Sequence, residues 1–168
     1  MRVKTVCFIG EMIIPKDKRE FISDNLFREI QRCIFYGGTD FICGGEPGFD
    51  SMAAKIILKE KAFHKNLRLI LALQYKNQEA PWTAEQRAEY KYMLSKADEV
   101  IYLSEYFSHG CIKRQSRFMV QSSDYCICCL INEKSETDET VRMAYEKGLE
   151  LVNTADEECA RFCGRREL

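Results

Sequence analysis

The sequence lacks most of the motifs that would assign an activity directly. It contains neither the GxGxxG fingerprint of dinucleotide-binding dehydrogenases, nor a Walker GxxxxGK[ST] loop, nor a GxSxG nucleophile elbow. No apolar run approaches the ~20 residues that a membrane helix requires. The formal net charge of -1 provides no general attraction to nucleic acid or to anionic membranes. A standard dehydrogenase, a P-loop NTPase, a serine hydrolase and a membrane protein are therefore not expected.

Histidine is also scarce, whereas cysteine is abundant. The two histidines, His64 and His109, have no evident metal-binding partners, and the nine cysteines do not form the paired motifs of a zinc site. Cys7 and Cys43 lie in apolar runs, where a free thiol behaves as a small hydrophobic group. The segment that begins at Met1 lacks the layout of a signal peptide. We therefore expect reduced thiols, a cytoplasmic protein, no bound metal and no cofactor.

Strand-like and helix-like segments alternate along the whole chain. Short apolar runs predict strands at 3–9, 41–43, 67–73, 99–103, 125–131 and 149–153. Apolar spacing and capping signals predict helices at 21–35, 48–63, 83–96, 112–122 and 140–147. This alternation predicts a three-layer α/β fold, with a mostly parallel central sheet and helices on both faces. We expect one domain over residues 1–155, followed by a charged tail at 156–168 with a short helix.

The carboxyl ends of parallel strands share one edge of the sheet, where ligands of such folds bind. The loops expected at that edge are 10–15, 44–50, 74–82, 104–117 and 132–140. The candidate binding residues lie in these loops.

The segment Gly44–Asp50 is the most informative of these loops. Gly44, Gly45 and Gly48 separate a strand from a helix, which leaves backbone N–H groups free at the helix N-terminus and favours an anion or nucleotide pocket. Asp50 would repel a phosphate placed on the first turn, but it could bind a ribose hydroxyl or cap neighbouring N–H groups. The alternative is a tight turn that leads into a helix with an acidic first turn.

Two further loops carry candidate contacts. A base could stack on Tyr75 or Trp82 while Gln78 binds its edge, or these aromatic rings could anchor the loop to the core. Arg114 and Arg117 belong to the one basic cluster at the expected edge, so they could bind an anion or form a solvated helix face.

The segment 135–140 precedes the last predicted helix. Its hydroxyl groups could cap that helix or bind a phosphate. Because it also contains three acidic residues, capping is the favoured interpretation.

Several ordered segments carry a resemblance to a known family. They are Thr5–Gly10, Phe41–Gly45 with Gly48–Asp50, Leu71–Tyr75 with Gln78 and Trp82, Lys96–Val100, and Arg114–Met119. Together they resemble the YpsA-like branch of the SLOG superfamily over about residues 3–153. The resemblance implies a Rossmann-like fold and a pocket for a nucleotide or a nucleotide-derived ligand. It adds Gly10, Glu11, Glu46 and Thr137 to the candidate binding residues.

The chain departs from the family pattern at three places. Relatives carry Gly-His-Arg after the first strand, where this chain has Gly10-Glu11-Met12. Relatives carry Gly-Gly-Thr before the last helix, where this chain has Ser135-Glu136-Thr137. The related LOG phosphoribohydrolases need a glutamate three residues after that threonine, and this chain has Thr140 there. These departures disfavour LOG-type activity, and they leave a changed ligand or a loss of phosphate binding as alternatives.

Three functions fit these features. The first is the sensing or sequestering of a nucleotide-derived small molecule, such as an ADP-ribose-type ligand, by a protein that could form homodimers through its outer helices. The second is an N-glycosidase acting on a nucleoside monophosphate or a dinucleotide, for which Glu11, Glu46 or Asp50 would supply the carboxylate. The third is DNA processing, as in the DNA-processing members of the superfamily, and the balanced charge makes nucleic acid the least favoured partner.

Overall fold

The chain forms a seven-stranded sheet with helices packed on both faces. The computed structural model describes residues 2–157 and the backbone of the strand at 161–163. The strands are β1 Thr5–Gly10, β2 Asp40–Cys43, β3 Arg68–Leu73, β4 Glu99–Tyr102, β5 Tyr125–Cys129, β6 Glu150–Asn153 and β7 Arg161–Cys163. The helices are α1 Arg19–Phe35, α2 Phe49–Glu60, α3 Ala84–Lys96, α4 Cys111–Gln121 and α5 Glu136–Lys147.

The order of the strands is β4-β3-β2-β1-β5-β6-β7. The pairings from β4 through to β6 are parallel, and β7 pairs with β6 in the antiparallel sense. The chain builds outward from β1 to β4 and then crosses back to place β5 on the other side of β1. The α/β class and the mostly parallel sheet predicted from the sequence are confirmed.

Alternate residues of each strand face opposite layers of helices. In β1, Val6 and Phe8 pack into the cluster that contains the buried faces of α1, α2 and α3. Cys7 and Ile9 face the other way, into the cluster formed with α4 and α5. Both faces of the sheet are therefore covered by apolar side chains, which is why its inner strands read as continuous apolar runs.

The ends of two helices show how local signals set the element boundaries. Thr83 and Gln86 form the predicted capping box at the start of α3, with both reciprocal hydrogen bonds present. The last helix begins at Glu136, four residues earlier than the start predicted at Thr140, because the Ser135 side chain accepts a hydrogen bond from the backbone N–H of Asp138.

The charged tail differs from the short helix expected there. Arg161–Cys163 forms β7, which pairs with Glu150–Val152 of β6. Without this strand β6 would be an edge with unpaired backbone groups, so an antiparallel addition satisfies hydrogen bonds that a helix would leave open. The rest of the expected helix, at 158–160 and 164–168, lies outside the described residues.

Among the described residues, neither a membrane-spanning helix nor a cluster of metal ligands is found. None of their helices has the length and apolar content needed to cross a bilayer. Within the same ranges, no group of three or more histidine, cysteine or acidic side chains is arranged to hold a metal ion.

Candidate ligand-binding site

A cavity of about 520 Å³ opens at the carboxyl edge of the sheet. It is lined by the loops that follow β1, β2, β3 and β5, together with one face of α4. The direction of the crossovers reverses between β1 and β5, and open α/β sheets bind ligands at such a switch point. The predicted site residues that line this pocket are Gly10, Glu11, Gly44, Glu46, Asp50, Tyr75, Gln78, Trp82 and Thr137.

Side-chain amides form the floor of the pocket around Gly44. Gln78 and Gln115 are buried, and the Nε2 of each donates a hydrogen bond of 3.2 Å to the carbonyl oxygen of Gly44. Gln115 Nε2 also donates to the carbonyl oxygen of Ala72 in β3 at 2.8 Å. The amide of Gln74 donates to Gln115 Oε1 at 3.2 Å, and its backbone N–H donates to Gln78 Oε1 at 2.9 Å. The floor is therefore a connected polar layer whose side chains are held in fixed orientations.

Asp50 stabilises the glycine turn through a side-chain hydrogen bond. Its Oδ2 accepts a hydrogen bond of 2.9 Å from the backbone N–H of Gly44. Burial of this carboxyl, reinforced by the nearby charge of Glu46, raises the pKa of Asp50 well above its usual range. Asp50 therefore caps a neighbouring N–H group, which is one of the two roles expected of it, and its side chain also lines the pocket.

Gly48 allows the start of α2 to pack directly under the loop that follows β1. Its φ is 83°, and a Cβ atom there would lie 2.3 Å from the carbonyl oxygen of Met12. The N–H of Phe49 donates to the carbonyl oxygen of Glu11 at 3.1 Å. One of the N–H groups expected to bind an anion is thus used inside the protein. Gly48 and Gly45, whose φ is 76°, shape the turn and do not line the pocket.

Four carboxyl groups line the pocket, from Glu11, Glu46, Asp50 and Glu136. Burial and the charge of Glu136 raise the pKa of Glu46 to about 7, against the opposing effect of a hydrogen bond donated by Gln74. No lysine, arginine or histidine occurs among the described residues that line the pocket. None of the ion pairs found between described residues involves these four carboxyl groups. The interior of the pocket is therefore acidic.

Two aromatic side chains form the wall contributed by the loop after β3. Trp82 meets the buried ring of Tyr90 edge-on, with 5.3 Å between the ring centroids. Tyr75 meets the exposed ring of Phe107 in the same manner at 5.6 Å. Trp82 is thus anchored to the core, which was one of the two expectations for this loop. Both Tyr75 and Trp82 also line the pocket.

The basic residues of α4 lie outside the pocket lining, which agrees with a solvated helix face, one of the two alternatives given for them. Arg114 and Arg117 are exposed and do not line the cavity. Arg114 donates a hydrogen bond to Ser104 Oγ on the loop that follows β4. Because α4 turns about 100° per residue, adjacent positions on it face different sides.

The face of α4 that meets the pocket carries Gln115 and Ser116, neither of which was predicted. Gln115 lies four residues from both Cys111 and Met119, two buried side chains. A polar residue at helical spacing between two apolar residues marks a buried polar group, and this signal was present in the sequence. Ser116 Oγ lies 2.8 Å from Thr140 Oγ1. The sequence contains no comparable signal for Ser116, because its partner lies on a different helix.

The start of α5 closes the pocket on the side of β5. Ser135 caps the helix, and its hydroxyl donates to the carbonyl oxygen of Asn132 at 2.9 Å. The same hydroxyl lies 3.4 Å from Glu11 Oε1, so the loops after β1 and β5 lie side by side here. Thr137 and Thr140 both line the pocket, and the hydroxyl of Thr140 donates to the backbone oxygen of Glu136 at 3.0 Å. Capping, the favoured interpretation of this segment, describes the observed role of Ser135.

Comparison with known proteins assigns the chain to a family. The model of the YspA SLOG family, labelled YpsA, matches residues 13–156. The chain belongs to the YpsA SLOG family. The resemblance seen in the sequence is thereby confirmed.

Individual relatives agree with the family assignment. The chain is 29% identical over 109 residues to the uncharacterized SPbeta prophage-derived protein YoqJ of Bacillus subtilis (strain 168), a match that covers 58% of this chain and 64% of YoqJ. It is 26% identical over 136 residues to a UPF0398 protein of Bacillus thuringiensis (strain Al Hakam), covering 80% of this chain and 74% of that protein. The match to YoqJ therefore spans less than two thirds of that relative's length.

A solved structure shares the fold. It is that of DNA processing protein A from Helicobacter pylori, described for its single-stranded DNA binding mode. The TM-score is 0.62 with 18% sequence identity, and the match covers 88% of this chain and 63% of that chain. At this identity the likeness shows the fold alone.

Proposed function

We propose that this chain binds a nucleoside or a nucleotide-derived small molecule in the pocket at the switch point. The observation that carries the proposal is the pairing of the amide floor of Gln78 and Gln115 with the aromatic wall of Tyr75 and Trp82. The second Nε2 hydrogen of Gln78 and the second lone pair of each Oε1 remain for hydrogen bonds to a base edge or a sugar. Aromatic rings offer faces or edges to a base. The volume of about 520 Å³ is in the range of small-molecule sites.

Binding without turnover is the preferred form of this function. LOG phosphoribohydrolases carry a catalytic glutamate at the position that Thr140 occupies in this chain. The Thr140 hydroxyl instead forms hydrogen bonds with the Ser116 hydroxyl and the backbone oxygen of Glu136. The described cysteines are free and buried, which supports a reducing, cytoplasmic setting for the protein.

Thermal-shift measurements with adenosine, AMP, ADP-ribose and cyclic dinucleotides test the proposal. A ligand that binds only the folded protein raises its stability by about 2.7 kcal/mol at one hundred times the dissociation constant. For a domain of this size we expect Tm to rise by roughly 5–10 °C with a ligand of the correct class. Unchanged Tm values across the whole panel would contradict the proposal.

A pair of neighbouring substitutions on α4 locates the binding site. Ile112 lines the pocket, whereas Lys113 is exposed and does not. Ile112→Trp should fill part of the cavity and abolish the ligand-induced rise in Tm. Lys113→Trp adds the same ring outside the cavity and should leave that rise unchanged. Equal effects of the two substitutions would show that the ligand binds elsewhere.

Hydrolysis of an N-glycosidic bond is the second candidate, because several carboxyl groups line the pocket. The pKa of Glu46 is raised to about 7, so near neutral pH this residue could donate a proton to a departing base. Glu11 would stabilise the ribosyl cation that forms as the bond breaks, and a water molecule would then add to that cation to complete the hydrolysis. This candidate predicts release of free base from AMP, CMP or NAD, detected by chromatography and lost in Glu46→Gln. No release from any of them would leave binding as the function.

A further inference from the structure

We infer that the pocket selects nucleosides with a positively charged base and without a phosphate, an inference that rests on the proposed function. The geometry behind it is the distribution of charge around the cavity. Carboxyl groups enter it from the loop after β1, from the turn before α2, from α2 itself and from α5, and the described lining contains no cation.

The four carboxyl groups differ in how far protein donors already satisfy them. Asp50 and Glu46 each accept a hydrogen bond, from the Gly44 N–H and the Gln74 amide, respectively. Glu11 accepts one long bond, of 3.5 Å from the backbone N–H of Asn132, and the Ser135 hydroxyl 3.4 Å away has a closer acceptor in the carbonyl oxygen of Asn132.

Glu136, at the first position of α5, is the most exposed of the four. No ion pair between described residues neutralises any of them. Because burial raises the pKa of both Asp50 and Glu46, these two groups contribute less negative charge at neutral pH than Glu11 and Glu136 do. A phosphate placed beside Glu11 and Glu136 would be repelled, and a cation would be attracted.

The loop after β1 brings a carboxyl group to the pocket and no basic one. Glu11 lines the cavity directly after Gly10, and its neighbours in the lining, Met12 and Ile13, are uncharged. Arg114 and Arg117, the remaining candidates, are exposed on another side of α4. The chemistry that this lining recognises is therefore a cation.

The aromatic wall fits a charged base as well as a neutral one. Tyr75 and Trp82 line the pocket, and the face of such a ring attracts a cation through its quadrupole. The amides of Gln78 and Gln115 keep their Nε2 donors on Gly44, so the floor is held by the protein and adds no net charge. Ring contact and carboxylate charge therefore favour the same ligand class.

Two isomeric nucleosides test the inference by calorimetry at pH 7. 1-Methyladenosine is protonated at pH 7 and carries a positive charge on its base, whereas its isomer N6-methyladenosine stays neutral. We expect 1-methyladenosine to bind at least ten-fold more tightly, and its 5′-phosphate to bind more weakly than the nucleoside. Equal affinities for the two isomers, or tighter binding of the phosphate, would overturn the inference and leave nucleoside binding intact. No binding of any of the three would contradict both.

Two substitutions in the first turn of α5 separate pocket charge from overall charge. Glu136 lines the pocket, whereas Glu139 belongs to the same turn, is exposed and lies outside the lining. Glu136→Gln should reduce the preference for 1-methyladenosine at least three-fold and leave the affinity for N6-methyladenosine unchanged. Glu139→Gln removes the same charge from the same turn and should leave both affinities unchanged. An equal loss in the two variants would show that the preference comes from net charge and would overturn the inference.

Discussion

Gly48 shows most directly how a single residue shapes the site. Its positive φ and the Met12 carbonyl oxygen 2.3 Å from a would-be Cβ both require a residue without a side chain. The contact holds the loop after β1 over the start of α2, where Glu11 and Phe49 are hydrogen-bonded through their backbones. A glycine suspected of binding a ligand therefore acts by allowing two backbone segments to touch.

Replacing Gly48 by alanine should be costly. We expect Gly48→Ala to lower the free energy of unfolding by about 2–4 kcal/mol, because the substitution combines an unfavourable φ with a clash against backbone. Urea denaturation measures the change. Gly110→Ala is the matched control, since a Cβ atom there meets nothing within 4 Å, and it should change stability by less than about 0.5 kcal/mol. Equal effects would contradict this account of Gly48.

Glu46 is the pocket residue whose protonation should change the free energy of unfolding with pH. Its folded-state pKa of about 7 lies above its usual value of 4.5, so the folded protein binds a proton more tightly than the unfolded chain. The resulting stabilisation is fully present below about pH 4.5 and is lost as the pH rises through about 7. At pH 8 the buried charge therefore opposes folding.

Glu46→Gln removes that charge and keeps an oxygen that can accept from Gln74. We expect the variant to be about 1–2 kcal/mol more stable than the natural protein at pH 8, with the difference disappearing near pH 5. Urea denaturation at the two pH values tests this. Glu146→Gln changes an exposed acid on α5 and should show no such pH-dependent gain. A constant difference across the pH range would contradict the assignment.

At the scale of elements, α4 is joined to the sheet through Gln115. Its amide bonds the carbonyl oxygens of Gly44, after β2, and of Ala72, in β3. Gln115→Met keeps the volume of the side chain but removes these two hydrogen bonds and the one accepted from Gln74, which should lower the free energy of unfolding by about 2–3 kcal/mol. Gln121→Met, at the exposed end of the same helix, should have little effect. Comparable losses in the two variants would show that Gln115 does not join these elements.

The order and type of the helices and strands could be predicted from sequence patterns that span two to four residues. Alternating faces and capping signals such as Thr83 with Gln86 act over short distances, so they can be recognised in the sequence. The start of α5 was predicted at Thr140, four residues too late, because several hydroxyl groups in 135–140 could act as the cap and the structure uses that of Ser135. The strand β7 had no local signal, since it depends on the free edge of β6 more than on its own residues.

For the whole molecule, charge distinguishes the remaining functional alternatives. DNA-binding proteins neutralise several phosphates and lose affinity steeply as salt rises. This chain has a net charge of -1 and an acidic pocket, so we expect no saturable binding of a single-stranded oligonucleotide of about 20 nucleotides in about 0.2 M salt. Fluorescence anisotropy at two salt concentrations tests this. Saturable binding that weakens steeply with salt would support the DNA-processing alternative.

Association into homodimers remains a prediction.

The sequence by itself determined the fold class, the edge of the sheet that carries the site, and the family, because these depend on periodicity and on ordered local motifs. Only the tertiary structure decided which side chains meet in the pocket. It placed Arg114 and Arg117 outside and Gln115 inside, although they are near neighbours on one helix. It also brought Glu11 and Glu136 from distant segments to one cavity. The charge around the cavity depends on distances between residues far apart in the sequence, and short sequence patterns contain no information on these distances.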